Sequence, residues 1–277
     1  MTDTSPPTRH ELAADLALIL AIPALLASIH FLIPTPVQQQ LALRPSDPQW
    51  YSLFTAAYIH ADIDHLQGNV VGYLLAVSYA YWLCLHTGRR QWFRRTTVGL
   101  LVMTPIVVNG IDLLLFGTYL PEFEGLSRGF SGVVGGFGGF LLVAFVVAVR
   151  DTYNSELAQI VGVALVLLLL QLLDVVYAGT VRLLVAGLVT FGIVLQVVGV
   201  LYERGWELPR IEASSRTLGI RVVSGGLVVG VLTFLVLQMF PAALVEGGTF
   251  VNIIAHATGI LTGIVLSIGI AVAQFKK

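Results

Sequence analysis

Eight stretches of this chain are each long and apolar enough to cross a lipid bilayer, and that repetition limits the possible folds more than any other feature. A helix rises 1.5 Å per residue, so about 20 apolar residues cover the hydrocarbon layer. The stretches lie at approximately 12–33, 65–85, 96–116, 129–149, 157–176, 183–201, 218–240 and 250–273. A span in lipid must satisfy its own backbone hydrogen bonds, and the alternating pattern of short barrel strands is absent from the sequence. The expected fold is therefore all-α, a polytopic transmembrane helical bundle of about eight spans. Composition agrees, since 56% of the residues are hydrophobic and 11% charged, against roughly 25% charged in ordinary soluble domains.

The domain expectation is a polar tail over 1–11, carrying the Pro6-Pro7 break, followed by one membrane domain over 12–277. The first apolar run exceeds the core of a signal peptide and reads as a retained span. An even number of spans puts both ends on one side. Of the 15 Lys and Arg residues, only Arg44, Arg128 and Arg182 fall on the opposite side from the termini. Basic residues concentrate on the cytoplasmic side of membrane proteins, so cytoplasmic termini in a cell-membrane protein are expected. A net charge of -1 without a long basic run leaves no surface for nucleic acid. Cys84 is the only cysteine, which excludes an internal disulfide and a cysteine-built metal cage. The connection over 34–64, rich in proline, is too long for a turn; an interfacial element anchored by Trp50, Tyr51 and Phe54 is expected there.

Polar side chains inside hydrocarbon are costly, so their positions carry information. In the second span, His65 and Asn69 stand four residues apart, on one helical face about 6 Å apart along the axis. Two donors so placed can aim at one oxygen. The fourth span opens with Gly129-Phe130-Ser131-Gly132. A serine in the first turn has free backbone N–H groups and the positive end of the helix dipole beside it, which suits a nucleophile and a developing oxyanion. Further along, Gly135, Gly136, Gly138 and Gly139 permit another backbone to approach closely. In the eighth span Ala255, Gly259 and Gly263 form a ridge of small residues, and His256 shares the face of Gly259 and Gly263. Packing the two glycine-rich faces together would bring His256 towards Ser131, and a neutral imidazole at hydrogen-bond distance can take the serine proton. In the span order, all three polar groups enter their helices from the same side.

Taken together, His60, His65 and Asn69, then Gly129 to Gly132, then Ala255, His256, Gly259 and Gly263 resemble the signature of the rhomboid family of intramembrane serine proteases, over roughly 50–263. The resemblance implies a rhomboid-like core with Ser131 as nucleophile and His256 as general base, without a third acid. It also implies that His65, Asn69 and the Ser131 backbone N–H form the oxyanion hole. His60, Gly129, Gly132, Gly259 and Gly263 are then structural residues near the site. The chain departs from the family pattern at three places. Tyr51 follows Trp50 where an arginine is common, Gly135 stands where many members carry an aromatic residue, and three spans separate serine from histidine instead of one.

The expected function is that of an intramembrane serine endopeptidase, cutting in or next to the transmembrane segment of a membrane-protein substrate. Its active site would open to the outer side, and its partners would be transmembrane substrates and the lipid bilayer. No metal or organic cofactor is required. A metal site from His60, His65 and His256 is disfavoured because residues five apart do not share a helical face and no His-Glu-x-x-His occurs. The remaining alternatives are a catalytically inactive rhomboid-like membrane chaperone and a proton-coupled transporter, although no duplicated halves are visible. The pairs Asn109/Asp112 and Gln171/Asp174 are expected to bond neighbouring helices.

Overall fold

A computed structural model describes residues 7–119, 125–207, 215–243, 245–246 and 249–275. The protein is an all-α polytopic bundle. Its helices are α1 (Arg9–Leu32), α2 (Thr35–Leu41), α3 (Ser52–Thr55), α4 (Ile63–His86), α5 (Arg90–Tyr119), α6 (Ser131–Thr152), α7 (Ser155–Ala178), α8 (Leu183–Glu203), α9 (Ser215–Met239) and α10 (Ile253–Phe275). Eight of these, all but the short α2 and α3, are long and apolar enough to span a membrane. A 3-10 turn over Ala56–Tyr58 follows α3, and a two-residue antiparallel ladder pairs β1 (Val245–Glu246) with β2 (Thr249–Phe250). Arg210, Lys276 and Lys277 of the charge asymmetry, the Arg216 side chain and residues 1–6 of the expected tail lie outside the described residues.

Among the helix starts that differ from the sequence expectation, three have a visible physical cause. The fourth span begins at Ser131 rather than 129, because Gly129 has φ +131°, a conformation no helix contains. The last begins at Ile253 rather than 250, because Phe250 pairs with Val245 and Asn252 starts the helix by accepting the Ala255 N–H at 3.0 Å. The third begins at Arg90 rather than 96, and one face of its extra turn is buried, with Arg90, Trp92 and Phe93 inside: the Arg90 and Arg94 side chains both pair with Asp15 of α1. Tyr81 of α4 donates to the same carboxylate at 3.1 Å. Two cations and a hydroxyl around one acid satisfy charges that apolar surroundings would otherwise exclude, which a hydropathy window cannot register.

The chain divides into two compact units, residues 1–141 with 252–277, and residues 142–251. In the first, α5 is the central support. Trp92 donates through Nε1 to the Ser267 carbonyl of α10 at 2.9 Å, and Gly99 leaves room for Leu266. Pro105 lies inside α5 and has no N–H for the Leu101 carbonyl. The Tyr58 hydroxyl fills that vacancy at 2.7 Å, so the helix's one defect becomes an attachment point for the connection ahead of α4. Asn109 donates to the Leu53 carbonyl at 2.9 Å, fixing α3 beside it. Within the connection, Trp50 is 84% exposed, in keeping with an interfacial anchor. The core is aromatic, with Tyr73, Trp92, Phe93, Phe130, Phe137 and Phe140 fully buried. Tyr73 meets Phe137 edge to face at 5.0 Å, the arrangement ring quadrupoles favour.

The second unit comprises the last part of α6 with α7, α8 and α9. Gly162 of α7 lies against Val146, Gly225 of α9 against Phe145, and Gly192 of α8 against Leu167 of α7. The α7–α8 connection turns at Gly179, whose φ of +66° ends α7 as glycine commonly does. Asp174 pairs with Arg182 across that turn and receives Gln171 at 3.4 Å. Of the two polar pairs expected to bond neighbouring helices, Asn109 bonds α3 and Asp174 reaches Arg182 at the start of α8, whereas Gln171 bonds only Asp174 within α7 among the described residues and Asp112 bonds Ser127 in the connection before α6.

Candidate active site

Residues from α4, α6 and α10 converge where these three helices begin. The segment entering α6 is held on several sides before it reaches Ser131. Ser127 and Leu43 exchange both backbone hydrogen bonds, at 2.8 and 3.0 Å, and the Gly129 N–H donates to the Ala56 carbonyl at 3.1 Å. Phe130 fills a buried slot between Tyr58 and Tyr73. Ser131 is then the first residue of α6, where backbone N–H groups have no partner in the preceding turn.

The position of α10 is set by its contact with α6. A Cβ on Gly259 would collide with the Gly132 carbonyl, and one on Gly263 with the Gly136 carbonyl. The two backbones touch, which only small residues allow. His256 Nε2 consequently lies 2.9 Å from Ser131 Oγ, although 125 residues separate them in sequence. Gly135 belongs to the same contact: a Cβ there would stand 2.9 Å from the His256 carbonyl. That is the physical reason an aromatic side chain is absent at this position, since the backbone of α10 occupies the space. His256 is instead aligned by the capped start of its helix and by direct packing on glycine.

On the other side of Ser131, Asp62 caps α4 by accepting the His65 N–H at 2.8 Å. The His65 imidazole approaches Gly129 through Cε1 and Nε2, which would lie 2.5 and 2.7 Å from an added Cβ. His60 is buried and meets His65 edge to face at 5.2 Å. Burial foremost, then the neighbouring imidazoles of His65 and His30, lowers its pKa to about 3 despite the Tyr58 backbone and Asp62. His60 is thus neutral at ordinary pH and acts as a packing wall for His65. Asn69, one turn further along α4 and 4% exposed, has an Nδ2 group without a hydrogen-bond partner among the described residues. An unpaired buried donor is unfavourable unless something arrives to use it.

Of the site residues expected from the sequence, all but Asn69 are linked by direct contacts within the first unit, and Asn69 stands one turn beyond His65 on α4. Ser131 and His256 are in direct contact, His65 packs on Gly129 beside the serine, and Gly132, Gly259 and Gly263 form the helix contact. Three residues of the same region escaped the sequence reading as site components: Ser127, Asn252 and Asp112. Asn252 had a readable signal, an asparagine immediately ahead of an apolar helical run, which is a standard N-cap pattern. Ser127 had none. Among the described residues no three His, Cys, Asp or Glu side chains converge as a metal site would require. Chemically, the cluster pairs a hydroxyl with a proton acceptor, the His256 imidazole at 2.9 Å from Ser131 Oγ. No family model, no curated protein and no solved structure matches the chain.

Proposed function

We propose that the chain is an intramembrane serine endopeptidase of the rhomboid type, hydrolysing a peptide bond in or next to the transmembrane segment of another membrane protein. The observation that carries this reading is the 2.9 Å approach of His256 Nε2 to Ser131 Oγ inside a bundle of apolar helices. With its proton on Nδ1, the imidazole accepts the serine proton as Oγ attacks the scissile carbonyl. The carbonyl oxygen becomes an oxyanion facing the Ser131 N–H, Asn69 Nδ2 and the His65 ring. Each such donor is worth about 3 to 4 kcal/mol in the transition state. The imidazolium then protonates the leaving amine, and the C–N bond breaks to leave an acyl ester on Ser131. Water, deprotonated by the same imidazole, cleaves the ester and regenerates the hydroxyl. A substrate helix has to unwind locally to present its carbonyl, which favours segments with small or helix-breaking residues.

The asymmetry of basic residues supports cytoplasmic termini in the cell membrane. The site, at the starts of α4, α6 and α10, would then open to the outer side. The deciding measurement is cleavage of a reporter transmembrane helix by purified protein in detergent. Wild type cleaves it and is labelled by a fluorophosphonate at Ser131, whereas Ser131→Ala and His256→Ala lose cleavage by at least about 10³-fold. Cleavage retained in either variant defeats the dyad.

A further inference from the structure

A carboxyl group inside an apolar bundle is a functional-site signal, because a leucine would occupy the same place at no electrostatic cost. Asp112 of α5 is such a group. It is fully buried, three residues beyond Asn109 on the face of α5 that carries the connection preceding α4. Its Oδ2 accepts the Ser127 hydroxyl at 2.7 Å. Its Oδ1 has no hydrogen-bond donor among the described residues, and its other polar neighbour is the Asn252 side chain. Neither partner is incidental. Ser127 stands four residues ahead of Ser131, in the segment whose backbone is clamped to Leu43. Asn252 caps α10 four residues ahead of His256.

We infer that Asp112 is a positioning residue for the Ser131–His256 pair, anchoring the approach to the nucleophile through Ser127 and flanking the cap of the histidine helix at Asn252. This rests on the proposed protease reading and deepens it, because it identifies what holds the two halves of the pair in register. Ser131 and His256 enter on different helices, and their alignment depends on where each helix starts. One carboxyl on a third, rigid helix touches the lead-in to one start and borders the other. The role requires an acceptor oxygen at Asp112 and does not require a charge.

The full-length protein in detergent allows a direct test through three readouts: the rate constant for fluorophosphonate labelling of Ser131, kcat and KM for a reporter helix, and the thermal unfolding midpoint. Asp112→Leu and Ser127→Ala should each lower the labelling rate and kcat by roughly 10- to 100-fold, as a misplaced reacting group does, with KM unchanged. The double variant should be no slower than the slower single one, because both remove the same link. Asp112→Asn keeps an oxygen for Ser127 and should recover most of the rate. If Asp112→Leu does not fold, Ser127→Ala and Asp112→Asn still read the link. Wild-type labelling in Ser127→Ala, losses that multiply in the double variant, or Asp112→Asn as slow as Ser127→Ala would each overturn the inference. A wild-type protein that reacts while the variants react equally fast sinks the positioning role alone. A wild-type protein that neither labels nor cleaves sinks the protease reading, and the positioning role with it.

Discussion

Gly129 shows how much one missing side chain decides. Its φ of +131° lies where L-residues are strained, and the face a Cβ would occupy is filled by the His65 ring. Alanine there has to distort the backbone, at a cost of about 1 to 3 kcal/mol, or push His65 away from the serine. Gly129→Ala should therefore lower kcat for a reporter helix by about 100-fold, the magnitude of losing one oxyanion donor. In a cycle with His65→Ala the double variant should be no slower than His65→Ala alone; a further loss would mean that Gly129 acts through something other than the ring. His60 illustrates the opposite case. It belongs to the motif read from the sequence, yet it is neutral, buried and edge to face with the His65 ring, so its contribution is shape.

At the scale of elements, the helices of the first unit are joined at two ends by different physics. Where α4, α6 and α10 begin, the joints are backbone contacts over glycine and hydrogen bonds from α5. Where α4 ends and α5 begins, the joint is ionic: Asp15 of α1 is shared by Arg90, Arg94 and Tyr81, and Arg90 also reaches Glu11 at 2.7 Å. Removing one partner of a buried ion pair leaves an uncompensated charge and costs about 3 to 5 kcal/mol. Asp15→Ala should lose that much stability in detergent unfolding. The fraction that stays folded should label with fluorophosphonate at the wild-type rate, because the ionic joint lies at the other end of α4 and α5 from Ser131. A proportional loss of labelling in the folded fraction would show that α1 also shapes the site.

At the scale of the molecule, the candidate site lies in the first unit, while the second holds the last part of α6 and the three spans that follow it. The three spans between them leave α6 and α10 running in the same direction, as the contacts of Gly259 on Gly132 and Gly263 on Gly136 require. The membrane orientation can be read directly from single cysteines in a Cys84→Ala background, the native thiol being fully buried. In intact cells a membrane-impermeant maleimide should label Asp47→Cys, in the connection ahead of α4, and leave Thr152→Cys, at the end of α6, unlabelled until the membrane is opened. The reverse pattern would invert the topology and place the site on the cytoplasmic side.

Fold class and span number followed from the sequence because hydrophobic thickness is a property of composition along the chain and needs no partner to be expressed. The candidate site residues were legible for a related reason: a serine, two histidines and an asparagine in otherwise apolar helices are conspicuous wherever they end up. Tertiary structure alone decided where helices start and what aligns the reacting groups. Gly129 was read as helical and is not, the first turn of α5 was too polar for a span until Asp15 met it, and Asp112 looked like any buried polar residue until Ser127 and Asn252 came beside it. Those outcomes depend on contacts between residues far apart in the chain, and distance through space is a quantity that local pattern does not encode.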